Sequence, residues 1–185
     1  LERRRESVDR LREAMEPFPE LPKLSVGAEV HYFSGIGDAD VLTDMAIDGG
    51  RHVLIEMPMV PWTDRMYQDL QSIRDSLGLT PIVAHVDRYI GPMQTYGIPE
   101  RLAELPVAVQ ANAGFFQRFF TKRMALRMLR VGQIHLLGSD CHNMRDRPVN
   151  IRKTVDLIEK MLGQEAIARI NACEDRILDD RIIPV

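Results

Sequence analysis

Side chains able to bind a metal recur along this chain at a near-constant interval. Glu29 ends the run Val-Gly-Ala-Glu, Glu56 ends Val-Leu-Ile-Glu and His85 ends Ile-Val-Ala-His; Asp140 and His142 close Leu-Leu-Gly-Ser-Asp-Cys-His. A further apolar run, Val107 to Ala111, ends at Asn112, and the successive intervals are 27, 29, 27 and 28 residues. Two Glu, two His and one Asp form an oxygen and nitrogen donor set, suited to Mn²⁺, Fe²⁺ or Zn²⁺ rather than to a thiolate metal. A bridging carboxylate can hold two such ions about 3.5–4 Å apart, the arrangement that activates water and neutralises a phosphoryl group. Taken singly, each residue reads as a solvated loop end or a hydrogen-bonded structural group. The joint pattern is what points to a metal centre.

Two arginines stand beside these positions. Arg88 lies three residues past His85, and Arg147 five past His142, with Arg145 close by. A planar guanidinium suits bidentate phosphate contact; the plainer alternative is pairing with Asp87 or Asp146. Cys141 and Arg147 also stand in the Cys-x₅-Arg spacing of cysteine-dependent phosphatases. That loop needs glycines so that its amides can cradle phosphate, and here His-Asn-Met-Arg-Asp intervenes with none. We therefore do not read Cys141 as a nucleophile. His31 and His52 read as strand or turn residues rather than ligands. Trp62, Met59 and Tyr89 could line a cleft, with ordinary packing the simpler reading for each.

The elements that must position these residues follow from periodicity. Short apolar runs predict strands at Ser25–Tyr32, His52–Met57, Thr80–His85, Val107–Asn112 and Ile134–Ser139. Helical spacing predicts helices over 2–15, 38–47, 63–77 (with Gly78 as C-cap), the second half of 91–104, 117–130, 148–161 and about 164–171. The apolar tail from Ile177 should pack back on the body. Strands alternating with helices imply a parallel sheet. A barrel gathers its chemistry at many strand ends and an open sheet at one switch point. Polar residues end all five strands, which favours the barrel, in one domain over residues 1–185.

Composition narrows the function. Net charge is −3 and the pI is about 6.0, giving no overall basic field for nucleic acid. No apolar run approaches the ~20 residues that span a bilayer. The opening Leu-Glu-Arg-Arg-Arg has no apolar stretch behind it, so no signal peptide is expected, and two cysteines fit a reducing cytoplasm.

Four segments, Gly-Ala-Glu-Val-His-Tyr, Leu-Ile-Glu-Met-Pro, Pro-Ile-Val-Ala-His-Val-Asp-Arg-Tyr and Gly-Ser-Asp-Cys-His-Asn with Arg147-Pro148 following, occur in the order found in bacterial PHP-family metal-dependent protein-tyrosine phosphatases of capsular and exopolysaccharide biosynthesis, which the chain resembles from about residue 5 onward. The resemblance implies a distorted (β/α)₇ barrel with two to three ions, usually Mn²⁺. In it Glu29 would bridge metals, Glu56 and His85 would complete one shell, and Asp140 and His142 would ligate the other ions. Arg88 and Arg147 would bind the substrate phosphate. The implied substrate is phosphotyrosine in the tail of a bacterial tyrosine kinase. The family's Asp-x-His-x-His and Thr-Pro-His motifs are absent from this sequence. The resemblance therefore implies an incomplete barrel of about five strands lacking the first two, fewer ions, and a homo-oligomer, a segment swap or a piece of a longer chain. Other readings are a PHP hydrolase of a small ester such as histidinol phosphate, and an inactive fragment that only binds a partner.

Overall fold

The computed structural model describes residues 2–90, 97–181 and 183. Helix α1 (Glu2–Met15) leads into β1 (Glu29–His31), β2 (His52–Glu56), α2 (Asp64–Leu77), β3 (Thr80–Val83), α3 (Ile98–Leu102), β4 (Ala108–Asn112), α4 (Ala113–Gln117), α5 (Lys122–Arg130), β5 (Leu136–Gly138), α6 (Ile151–Leu162) and α7 (Gln164–Leu178). The strands form one parallel sheet in the order β1-β2-β3-β4-β5. This is the α/β fold expected, with its five parallel strands. The order never reverses, so the sheet has no switch point, and every strand ends on the same rim.

The pleat separates two faces. Val53, Ile55, Val83, Val107, Val109 and Ala111 join the larger core, which also holds Leu70 and Ile73 of α2, Leu126 and Leu129 of α5, and Ile158 of α6. The alternate residues point the other way. Leu54 is level with Ile82, and Ile82 with Ala108; Ile82, Ala108 and Leu136 are buried with Ile183, against Cys173 and Ile177 of α7. Toward the strand ends the same face turns polar, with His31 level with Glu56 and Gln110 level with the buried Leu136. The tail packs back as expected, through Ile183.

Several elements differ from the sequence reading. The first strand shortens to three residues because Val26 and Ala28 bond instead to the segment 45–48: Val26 N–H donates to Asp48 Oδ1 (2.8 Å) and Ala28 N–H to the Met45 carbonyl (3.1 Å). The helix expected over 38–47 is three short 3₁₀ turns, Ile36–Asp38, Asp40–Met45 and Ile47–Gly49. Ala46 is extended and Asp48 left-handed, so no continuous helix can pass through them. The helix expected over 117–130 begins only at Lys122, as α5, and a separate short helix, α4, precedes it. Arg118 is extended, and the Thr121 hydroxyl donates to the Phe115 carbonyl (2.7 Å), closing the turn between them. The sixth helix starts at Ile151 rather than 148, and α7 runs seven residues beyond 171. Part of the 91–104 segment lies outside the described residues. None of the described helices is long and apolar enough to cross a membrane.

Candidate metal centre

Glu29, Glu56 and His85 converge. Their ligand atoms all lie within 4.8 Å of one another, and they form the one such group among the described residues. Each arrives by a different route. Glu56 ends β2, whose buried Val53 and Ile55 fix its direction. Glu29 comes from the neighbouring strand, one level lower. His85 follows β3 and starts the 3₁₀ turn Val86–Arg88 in the left-handed region, at φ 34°. A non-glycine residue there is strained, and the surroundings must hold it. The side chain of Gln110 does so: its Oε1 accepts the His85 N–H at 2.5 Å. Gln110 itself needs Gly138 opposite, since any Cβ at residue 138 would run into its amide.

The electrostatics suit a cation. Burial raises the Glu29 pKa, helped by its hydrogen bond to Glu56 and by the Glu56 and Asp140 charges. Burial also lowers the His85 pKa, with the Arg88 charge adding to it, so the imidazole stays neutral and keeps a lone pair for a ligand. His85 Nε2 is 3.1 Å from Glu56 Oε1. Two carboxylates and a neutral imidazole in this arrangement fit a divalent ion such as Mn²⁺, Fe²⁺ or Zn²⁺.

The 3₁₀ turn after His85 brings Arg88 back over the triad. Its Nη1 donates to Glu56 Oε1 (2.7 Å) and its Nη2 to Asp140 Oδ2 (2.7 Å). Arg88 thus pairs with the centre, not with Asp87, which accepts the Asn112 N–H at 2.9 Å and ties the turn to β4. Arg147 donates to the same Asp140 oxygen, so two guanidinium groups meet on one carboxylate. Asp140 is left-handed as well, at φ 52°. It adjoins the triad across Arg88 rather than joining it. His142 does not reach the triad: its Nδ1 lies 3.0 Å from the Asp140 carbonyl oxygen, its Nε2 3.2 Å from Arg147 Nη1, and its side chain is more than half exposed.

The loop carrying Cys141 cannot cradle phosphate. The N–H groups of Arg145, Asp146 and Arg147 all donate to Asn143 Oδ1, and those of His142 and Asn143 to the Arg147 carbonyl. The loop's amides are consumed within it.

Two neighbours of the site escaped the sequence reading. His31, set aside there as a strand or turn residue, places Nδ1 3.0 Å from Glu56 Oε2. Its signal was the spacing from Glu29: two residues apart in a strand means one face. Gln110 carries the same signal relative to Asn112. Of the remaining candidates, Trp62 and Tyr89 are buried, their rings 5.2 Å apart, and Tyr89 Oη accepts the Met57 N–H (3.0 Å). They brace the end of β2 and do not line a cleft. Met59 is exposed, and His52 is buried near Asp180, away from the centre.

The family model for capsular polysaccharide synthesis, CpsB/CapC, matches residues 1–177. This chain belongs to that family. It is 25% identical to tyrosine-protein phosphatase CpsB of Streptococcus pneumoniae over 86% of its own length and 70% of that protein's, and 27% identical to tyrosine-protein phosphatase YwqE of Bacillus subtilis (strain 168) over 65% and 48%. It thus spans about half of the Bacillus relative. Crystal structures of YwqE and CpsB, described as unique metal-dependent tyrosine phosphatases, include a chain that superposes with a TM-score of 0.82 at 19% identity, covering 98% of this chain and 74% of that one. At that identity the likeness speaks for the fold.

Proposed function

We propose that this CpsB/CapC chain carries the site of a metal-dependent phosphatase that hydrolyses phosphotyrosine in proteins, in the cytoplasm, with a bacterial tyrosine kinase of polysaccharide synthesis or export as its substrate. The observation that carries the reading is the convergence of Glu29, Glu56 and His85 directly beneath the Arg88 guanidinium. The names of the relatives support the choice of phosphotyrosine.

Glu29, Glu56 and His85 would hold the ion, Mn²⁺ by resemblance, with Asp140 next to it and His31 fixing the second oxygen of Glu56. A divalent ion there supplies positive charge against the phosphoryl oxygens and makes water more acidic. The chain's own groups do the rest. Arg88 and Arg147 meet at Asp140 and each keeps N–H donors beyond that carboxylate, a fork able to bind the two oxygens of a phosphate monoester. Asp140 keeps both guanidiniums pointed at the centre. A tyrosine leaving group has a pKa near 10, so it departs with less proton assistance than an alkoxide. His142, on the exposed loop beside Arg147, would ligate a further ion only after turning from its present partners.

The test is phosphate release from a phosphotyrosine peptide by this chain, with Mn²⁺ and after chelation. Release should require the metal, survive alkylation of Cys141, and fall about 10²–10³-fold in Arg88→Ala while the ion is still bound. Activity that survives chelation but is lost on alkylation overturns the metal mechanism.

A further inference from the structure

Between Glu104 and Asp140 the sequence has no acidic residue, yet it carries Arg118, Lys122, Arg123, Arg127 and Arg130, in a chain of net charge −3. Several arginines elsewhere pair with carboxylates, as Arg65 does with Asp69 and Arg101 with Asp64. None of these five cations has an ion-pair partner among the described residues, and all but Lys122 are exposed. In their midst, at the break between α4 and α5, Phe119 and Phe120 are 87% and 92% exposed, their rings edge-to-face at 5.3 Å. Two adjacent phenylalanines held almost wholly in water mark a contact surface.

The surface lies on the rim that carries the metal centre. Helix α4 starts where β4 ends, and Gln117 donates to the Asn150 carbonyl (3.0 Å) and to Thr154 Oγ1 (2.9 Å), binding the break to the chain that leaves the Cys141 loop. That loop adds exposed Met144 and Val149. On the inner side, Arg118 is near enough for its charge to act on Asp87, the neighbour of Arg88.

A lipid surface fits poorly. An interfacial helix needs a free apolar face, whereas Ala125, Leu126, Met128 and Leu129 of α5 are buried in the core, leaving Arg123, Arg127 and Arg130 outward. The carboxylates of the metal centre on the same rim would also face the anionic headgroups. An acidic polypeptide fits: its carboxylates match the unpaired cations, and its aromatic side chains match the two phenyl rings.

We propose that Arg118, Phe119, Phe120, Arg123 and Arg127 form an exosite that docks an acidic, aromatic-bearing segment of the substrate protein beside the phosphotyrosine being hydrolysed. This rests on the phosphatase reading above, and it adds how the substrate is chosen. The exosite acts on encounter and KM, and leaves turnover of small esters alone.

The test uses this chain and a fluorescent, unphosphorylated Glu–Tyr copolymer, with binding read by anisotropy. Arg123→Glu with Arg127→Glu, and separately Phe119→Ser with Phe120→Ser, should each weaken binding about tenfold or more. Rising salt should weaken it in the parent and have less effect in the arginine variant. Metal-dependent hydrolysis of p-nitrophenyl phosphate should be unchanged in both. Equal copolymer affinity in parent and variants overturns the exosite. So does binding to phosphatidylserine vesicles that the variants lose while they keep the copolymer. Absence of p-nitrophenyl phosphate hydrolysis by the parent would instead count against the phosphatase reading, and the binding comparison would stand apart from it.

Discussion

His85 and Asp140 share an uncommon trait: both hold side chains at the candidate centre on a left-handed backbone. At His85 the compensation is visible in the Gln110 hydrogen bond, and at Asp140 in the two arginines that hold its carboxylate. A different histidine offers a clean test at this scale. His135 accepts the Val109 N–H on Nδ1 at 3.1 Å, and burial lowers its pKa. The unfolded chain, with histidine near 6.5, then binds a proton that the folded chain refuses. The stabilisation is complete above about pH 6.5 and is lost as pH falls below it, through the folded value. Asparagine can offer a carbonyl oxygen in place of Nδ1 without titrating. Thermal unfolding at pH 7 and pH 5 should therefore show a smaller acid loss in His135→Asn than in the parent. His52, lowered by burial too, should keep part of that loss in both. An unchanged pH dependence would remove His135 from the account. Residue chemistry was the most legible level: Glu29, Glu56, His85 and Arg88 are where their types and spacing pointed. His31 and Gln110 were not found because each has an ordinary strand residue's surroundings in the sequence, and only the register sets it beside a ligand.

At the scale of elements, the link from β5 through β4 to the turn after β3 governs how well the triad is held. Gly138 leaves room for Gln110, and Gln110 holds the His85 backbone. Gly138→Ala should displace the amide, free the strained turn and weaken metal binding about tenfold or more, in the range seen when groups behind a ligand are lost. Calorimetric titration measures this directly, and unchanged affinity would show that the turn holds itself. The same scale explains where sequence reading fell short. The strands were legible because buried parallel strands are short apolar runs. The 3₁₀ turns between residues 36 and 49 were not, because they depend on Asp48 bonding back to Val26 and on the close approach of Gly37 to Ser72 and Asp69 of α2. The break at Phe119–Phe120 carries no proline or glycine to announce it, and is held by the Thr121 hydroxyl, by backbone bonds to the Arg118 carbonyl and by Gln117.

For the whole molecule, the sheet has to bury two faces. Helices α2, α5 and α6 cover one; α7 and Ile183 cover the apolar half of the other, leaving the polar half as the site. Ile183 is 1% exposed against Ile82, Ala108 and Leu136. Ile183→Ala should cost about 2–5 kcal/mol in urea unfolding, with metal stoichiometry unaltered because Ile183 packs with Ile82, Ala108 and Leu136 and not with the ligands; a loss below about 0.5 kcal/mol would mean that the tail only rests on the surface. The alternation of strands and helices announced the parallel sheet, and the polar strand ends announced the rim on which Glu29, Glu56 and His85 converge. That one helix and a single tail residue close the inner face was not readable, since nothing in an apolar tail says which layer it meets. The central claim, that Glu29, Glu56 and His85 hold the ion on which phosphotyrosine hydrolysis depends, is tested most directly by titrating Mn²⁺ into the metal-free chain in a calorimeter. One ion per chain is expected, with binding lost in Glu56→Gln and in His85→Gln although both variants stay folded by circular dichroism. No saturable binding in the parent, or binding that both variants retain, would contradict it.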